Sequence, residues 1–361
     1  MTYRKMSAVF ALAGVLVLPA VPAAAADRIR DQQWQVTYLK LAEAHRITTG
    51  SGVSVAVVDT GVARHPDLAR NLQRGTDVIA GGDGSGQVDQ DGHGTQMAGL
   101  IAGHGSGRDA GVLGVAPGAK ILPVKATATR DDGAGVGPGF EWAASQGAGV
   151  INFSSSVPMS RTLTDAVAEA VKADAVVVAP SGNRASDLVF SYPAAIPEVL
   201  AVGAVGENGE VADFSVTGEK VGICAPGVDL VTTTRNGRYA KASGTSHATA
   251  LVSGAAALVR ARFPELSAPE VIHRLTATAD DNGPPGRDDE CGAGVLNIVK
   301  ALTADIPSTE PDRSSETVAQ VDKGAEPTGS SLPMIAGAGA AVIVLGGLTA
   351  FLLVRKRRSA S

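Results

Sequence analysis

Five short apolar runs recur along this chain, at 53–58, 121–125, 149–153, 175–179 and 199–203, and they alternate with stretches of helical pattern. Strands that stay apolar through their length, rather than at every second position, are buried on both faces. Helical segments between such strands imply a parallel sheet covered on both sides. The expected fold is therefore α/β, with a mostly parallel central sheet flanked by helices. Once the two unusual ends are set aside, roughly 280 residues remain, enough for one large core or two domains. No internal repeat divides them, so a single domain is the simplest organisation. A net charge of −5 provides no basic surface for nucleic acid, and no nucleic-acid partner is expected.

Three segments carry candidate chemistry. The run Val53-Ser54-Val55-Ala56-Val57-Val58 ends in Asp59-Thr60-Gly61. Asp91-Gly92-His93-Gly94-Thr95 and Ser243-Gly244-Thr245-Ser246-His247-Ala248 place a histidine and a serine after glycines, where small-residue helical stretches open. A serine hydroxyl is a poor nucleophile until an imidazole takes its proton, and the imidazole needs a carboxylate to fix its tautomer and stabilise its cation. Asp59, His93 and Ser246 supply these roles in that order. Asp59 in Asp-Thr-Gly also fits an aspartic protease, but that chemistry needs a second carboxylate, and no second Asp-Thr-Gly occurs. His45, His65, His104 and His273 lack a glycine-flanked helix start and read as surface or packing residues. His247 adjoins Ser246, but helix neighbours point about 100° apart and do not face each other as nucleophile and base.

The residues around these three positions resemble the motifs of the subtilisin-like serine proteases, and the resemblance covers roughly Gly50 to Ala301. It implies an endopeptidase acting on polypeptides, with no cofactor. It also implies that Asn183, in Ala179-Pro180-Ser181-Gly182-Asn183, donates to the oxyanion together with the Ser246 backbone N–H; read alone, Gly182-Asn183 is a turn. Ser154, Ser155 and Ser156 fall where the family lines its substrate with Ser-Leu-Gly, so a glycine that permits close backbone approach is replaced. Gly133, Ala134 and Gly135 belong to the second substrate-lining segment, which is about one helical turn shorter than usual. Cys224 and Cys291 flank loop glycines in segments that approach each other in such folds, which implies a disulfide; two buried thiols are the alternative. No metal-ligand spacing is visible, and calcium ligands are not assignable.

The ends set the expected location. Arg4 and Lys5 precede an apolar stretch from Ala8 to Leu18, and Ala24-Ala25-Ala26 fits a secretory cleavage site, so 1–26 reads as a signal peptide. Met334 to Val354 is an uncharged stretch of 21 residues, about 31 Å as a helix, followed by Arg355-Lys356-Arg357-Arg358. The expected organisation is a peptidase domain at 27–304 with an N-terminal extension at 27–49. A disordered linker at 305–331, a membrane span at 332–354 and a cytoplasmic tail at 355–361 follow. The extension is expected to stay attached through Trp34, Val36, Leu39 and Leu41; a short activation peptide cleaved near Thr49 is the competing reading. This plan, with Gln33-Trp34-Gln35-Val36 before the domain, resembles the mycosins, which implies a membrane-anchored protease associated with type VII secretion machinery. A general cell-surface protease and a structural component of a secretion complex are the alternatives.

Overall fold

The computed structural model describes residues 27–307 except 108, 129–132, 134, 185–189 and 191. The expected signal peptide, membrane span and tail, with all but the first residues of the linker, lie outside the described residues. Among the described residues no helix is long and apolar enough to cross a membrane.

Seven strands form one sheet: β1 (Ser54–Asp59), β2 (Thr76–Asp77), β3 (Lys120–Lys125), β4 (Val150–Asn152), β5 (Val176–Pro180), β6 (Leu200–Val205) and β7 (Ile223–Pro226). Their order is β2-β3-β1-β4-β5-β6-β7, and every pairing is parallel. The five apolar runs of the sequence are β1, β3, β4, β5 and β6. Alternation decides which face each residue serves. Val55 and Val57 of β1 pack in the same apolar cluster as α4 (His93–Ala102) and α7 (Thr245–Arg262). Ala56 and Val58 join the cluster that includes α5 (Val136–Ser145) and α6 (Arg161–Lys172).

The 18 residues of α7 are buried along almost their whole length. A helix buried all round approaches its neighbours closely only if its side chains are small, and α7 is built from Ala, Ser, Thr and Gly with Leu and Val. At Gly254 a Cβ would stand 2.6 Å from that of Val115, so no larger residue fits without displacement. Three other helices begin at side-chain caps. Ser160 accepts from the Leu163 N–H before α6, and Ser267 forms a reciprocal capping box with Glu270 at the start of α8 (Ala268–Ala277). Asn297 caps α9 (Ile298–Thr303).

An antiparallel hairpin, β8 (Leu230–Thr234) with β9 (Arg238–Ala242), turns through Asn236 and Gly237, both left-handed at φ 61° and 64°. The N-terminal segment folds as α1 (Asp27–Asp31), α2 (Trp34–Tyr38) and α3 (Leu41–Ile47). Leu39 and Leu41 are buried in the main core, and Trp34 and Val36 pack half-buried against it. Gln33, buried before α2, donates to the Val231 and Leu113 carbonyls and accepts from the Leu113 N–H. Arg30 donates to the carbonyls of Gly111 and Ala110. Cys224 on β7 and Cys291 form a disulfide with Cα atoms 5.0 Å apart. It ties the sheet edge to the segment where Leu296 N–H bonds the Cys224 carbonyl.

Candidate active site

Parallel strands deliver their carboxyl ends to one edge of the sheet, and that edge is where an α/β protein gathers ligand-facing groups. Asp59 closes β1, Ser154 follows β4, and Asn183 follows β5. His93 is the first residue of α4 and Ser246 the second of α7.

Asp59 and His93 are both buried, at 2% exposure each. The His93 Nδ1 lies 2.9 Å from each carboxylate oxygen of Asp59. Nδ1–H donating to the carboxylate leaves the Nε2 lone pair as the basic position. That Nε2 is buried and has no hydrogen-bond partner among the described residues. The approach of α4 to the end of β1 depends on Gly94, where a Cβ would stand 2.1 Å from the Gly61 carbonyl oxygen. Asp59 is held in turn by the Thr60 N–H at 2.8 Å on Oδ1.

Two strand ends hold the start of α7. Asn183 Oδ1 accepts from the Thr245 N–H at 3.1 Å and the Thr245 hydroxyl at 3.3 Å, which fixes the orientation of its amide. Ser154 donates to the Ser246 carbonyl at 3.0 Å and accepts from Asn152 Nδ2 at 3.0 Å. Gly244, just before α7, has φ 155° and ψ 156°, a region essentially restricted to glycine. No hydrogen bond joins Ser246 to His93 in this structure; such contacts in ligand-free hydrolases are often long and tighten with substrate.

The other expected substrate-lining residues are placed unevenly. The Ser154 side chain is buried and turned to the α7 backbone rather than to a cleft, while Ser155 and Ser156 are half-buried. Gly133 is exposed, Gly135 is the buried N-cap of α5, and Ala134 lies outside the described residues.

Several further groups shape the site. Lys125, at the end of β3 beside Asp59, is almost wholly buried and donates to the Val88 carbonyl at 2.9 Å and the Thr60 carbonyl at 3.5 Å. Asp89 is buried beside the start of α4, and burial pushes its carboxyl above the usual range. The hairpin braces α4 from outside, with Thr232 and Thr233 donating to the Gln96 and Thr95 carbonyls at 2.8 and 2.7 Å. His247 sits on α7 with its ring centroid 6.3 Å from that of His93 and its Nε2 3.2 Å from Gln96 Oε1. Asn236-Gly237 between β-rich runs was a readable sign of the hairpin. For Lys125 and Asp89 the sequence holds no local sign.

The profile of the subtilase family matches residues 50–294. Subtilisin BL of Lederbergia lenta is 40% identical over 272 residues, covering 74% of this chain and 97% of the relative. Mycosin-1 of Mycobacterium tuberculosis is 36% identical over 338 residues, covering 77% of this chain and 74% of the relative. Among solved structures, a serine protease MycP1, described as an essential component of the type VII (ESX-1) secretion system, superposes with a TM-score of 0.69. It is 34% identical, with 76% of this chain and 89% of that chain covered.

Proposed function

The chain belongs to the subtilase family, and from that premise we propose that it is a membrane-anchored, extracytoplasmic serine endopeptidase working with a type VII secretion machine. Ser246 Oγ attacks the scissile carbonyl carbon while its proton passes to His93 Nε2. Asp59 holds the Nδ1–H and stabilises the imidazolium. The oxyanion of the tetrahedral intermediate accepts from the Asn183 Nδ2 amino group and the Ser246 N–H at the amino end of α7, where helix geometry favours negative charge. Collapse breaks the C–N bond, and the leaving amine takes the proton back from His93. Water, deprotonated by the same imidazole, then hydrolyses the acyl-enzyme.

The observation that carries this reading is the 2.9 Å contact of His93 Nδ1 with Asp59, which leaves a buried Nε2 with no other partner among the described residues. Substrate backbone is assigned to the segments Ser154–Ser156 and Gly133–Gly135. Anchoring rests on the uncharged stretch at 332–354 and the basic residues after it. The link to secretion rests on similarity to mycosin-1 and to MycP1.

A serine-directed fluorophosphonate probe tests the enzymatic core of the proposal. The full-length protein is expected to be labelled on Ser246, and Ser246→Ala and His93→Ala are expected to abolish labelling while retaining the wild-type circular dichroism spectrum. A folded wild-type protein that takes no label would refute the catalytic reading and leave a structural role in the secretion machine.

A further inference from the structure

Between the carboxylate that orients the base and the helix that carries it lies a second buried carboxylate, Asp89, which the acyl-transfer scheme leaves without a task. Five donors converge on it. Its Oδ1 accepts from the Thr60 hydroxyl at 2.9 Å, the Gly92 N–H at 2.7 Å and the Asp91 N–H at 3.1 Å. Its Oδ2 accepts from the Thr95 N–H at 3.0 Å and the Thr95 hydroxyl at 2.5 Å. A site made of donors fits the ionised acid, because a proton on either oxygen would face an N–H or displace a hydroxyl.

The partners come from both sides of the Asp59–His93 pair. Thr60 directly follows Asp59; its hydroxyl also lies 3.2 Å from Asp59 Oδ1 and accepts from the Gly94 N–H at 3.1 Å. Gly92 and Thr95 flank His93 on α4, whose N-cap, Gly92, has no side chain with which to satisfy the first-turn N–H groups. Asp89 therefore caps the helix from outside and binds it to the end of β1. An uncapped helix start carries partial positive charge and disfavours a cation on its first residue, and His93 is that residue.

We propose that Asp89 is a positioning residue for the triad, locking the first turn of α4 to the end of β1 and balancing the positive helix end beside the imidazolium formed in acyl transfer. This rests on the catalytic reading above. The other charged and titratable groups around the start of α4 are Asp59 at the end of β1, Asp91 in the preceding loop, Lys125 of β3 behind the Thr60 carbonyl, His247 of α7, and Arg235 of the hairpin turn, which donates to the Gln90 carbonyl. Asp89 bonds both sides of the Asp59–His93 pair, through Thr60 after β1 and through Gly92 and Thr95 at the start of α4.

The test is the rate of fluorophosphonate labelling of the full-length protein as a function of pH. Asp89→Asn keeps the size and removes the charge. It is expected to lower the plateau rate on the order of tenfold and to move the acid limb to lower pH by roughly one unit, since an imidazolium with one anion fewer nearby loses its proton more readily. Thr60→Val keeps the charge and cuts the link to β1. It is expected to lower the plateau and leave the acid limb in place. An Asp89→Asn protein with wild-type plateau and limb overturns the proposal. If Asp89→Asn does not accumulate as folded protein, Thr60→Val decides: a wild-type plateau overturns the proposal and a lowered one supports it. Absence of labelling in the wild type would instead refute the catalytic reading itself.

Discussion

Asn183 and Ser154 reach the same few backbone atoms, the start of α7, from the ends of neighbouring strands. Both positions are occupied by short polar side chains because a helix start offers donors and acceptors that a strand end can meet at hydrogen-bond distance. For Asn183 the two Thr245 bonds engage Oδ1, and the proposed mechanism uses the amino group as the oxyanion donor. A donor that acts mainly when charge develops is felt in the chemical step, not in ground-state binding. Asn183→Ala is therefore expected to lower kcat on the order of a hundredfold or more with little change in KM, measured on a peptide substrate with the labelled fraction as active-site titre. A near-normal kcat in a folded protein would reduce Asn183 to a turn residue. The motif segments stand out in the sequence because a carboxylate, an imidazole and a hydroxyl beside glycines are chemically conspicuous. Lys125 and the inward-turned Ser154 hydroxyl are not announced, since they bond partners distant in the chain, and Asp89 is not, since its tie to Thr60 joins two separate segments.

At the scale of elements, the strands that were legible are those with long apolar runs, because burial on both faces writes itself into every residue. β7 escaped notice because its four residues, Ile223–Pro226, sit between glycines and end in proline, a pattern equally suited to a loop. β2 has only two residues and no run to read. The N-terminal helices α1 to α3 show the opposite case, in which apolar residues at Trp34, Val36, Leu39 and Leu41 foretold docking but not its polar part. Gln33, Arg30 and Trp34 bind carbonyls of segments that include β8 and the loop before β3. Removing this segment would expose the core faces under Leu39 and Leu41 and strip partners from buried backbone groups. Each effect costs on the order of 1–5 kcal/mol. The segment is thus expected to remain attached in the working enzyme. N-terminal sequencing of the purified protein should find a start near Asp27 in both wild type and Ser246→Ala; a start near Thr49 in the wild type alone would establish self-cleavage and remove the argument.

For the molecule as a whole, three histidines outside the site link stability to pH. His45 on α3, His65 before the turn Pro66–Leu68, and His104 after α4 all have pKa values lowered, in each case first by burial. Hydrogen bonds fix two of them as neutral tautomers. His65 Nδ1 accepts from the Asp67 N–H while Nε2 faces the Arg238 carbonyl, and His104 Nε2 accepts from the Arg70 N–H while Nδ1 faces the Gly105 carbonyl. A proton on either accepting nitrogen would break a bond. Tyr239, which packs on the His65 ring, is pushed up to about 12 by burial and then by Asp67, and stays neutral throughout. For a histidine with a depressed folded pKa, the stabilising contribution is complete above the unfolded value of 6.5. It is lost as the pH falls through the folded value, because the unfolded chain binds the proton first. Asp89, whose carboxyl burial shifts upward, has the opposite sign. The melting temperature is therefore expected to fall as the pH is lowered from 7 to 5. His65→Asn keeps an acceptor for the Asp67 N–H without a titrating ring, and should make that decline shallower. A melting temperature that stays flat across the window, or a His65→Asn slope equal to the wild type, would show that these rings are not buried in their neutral form.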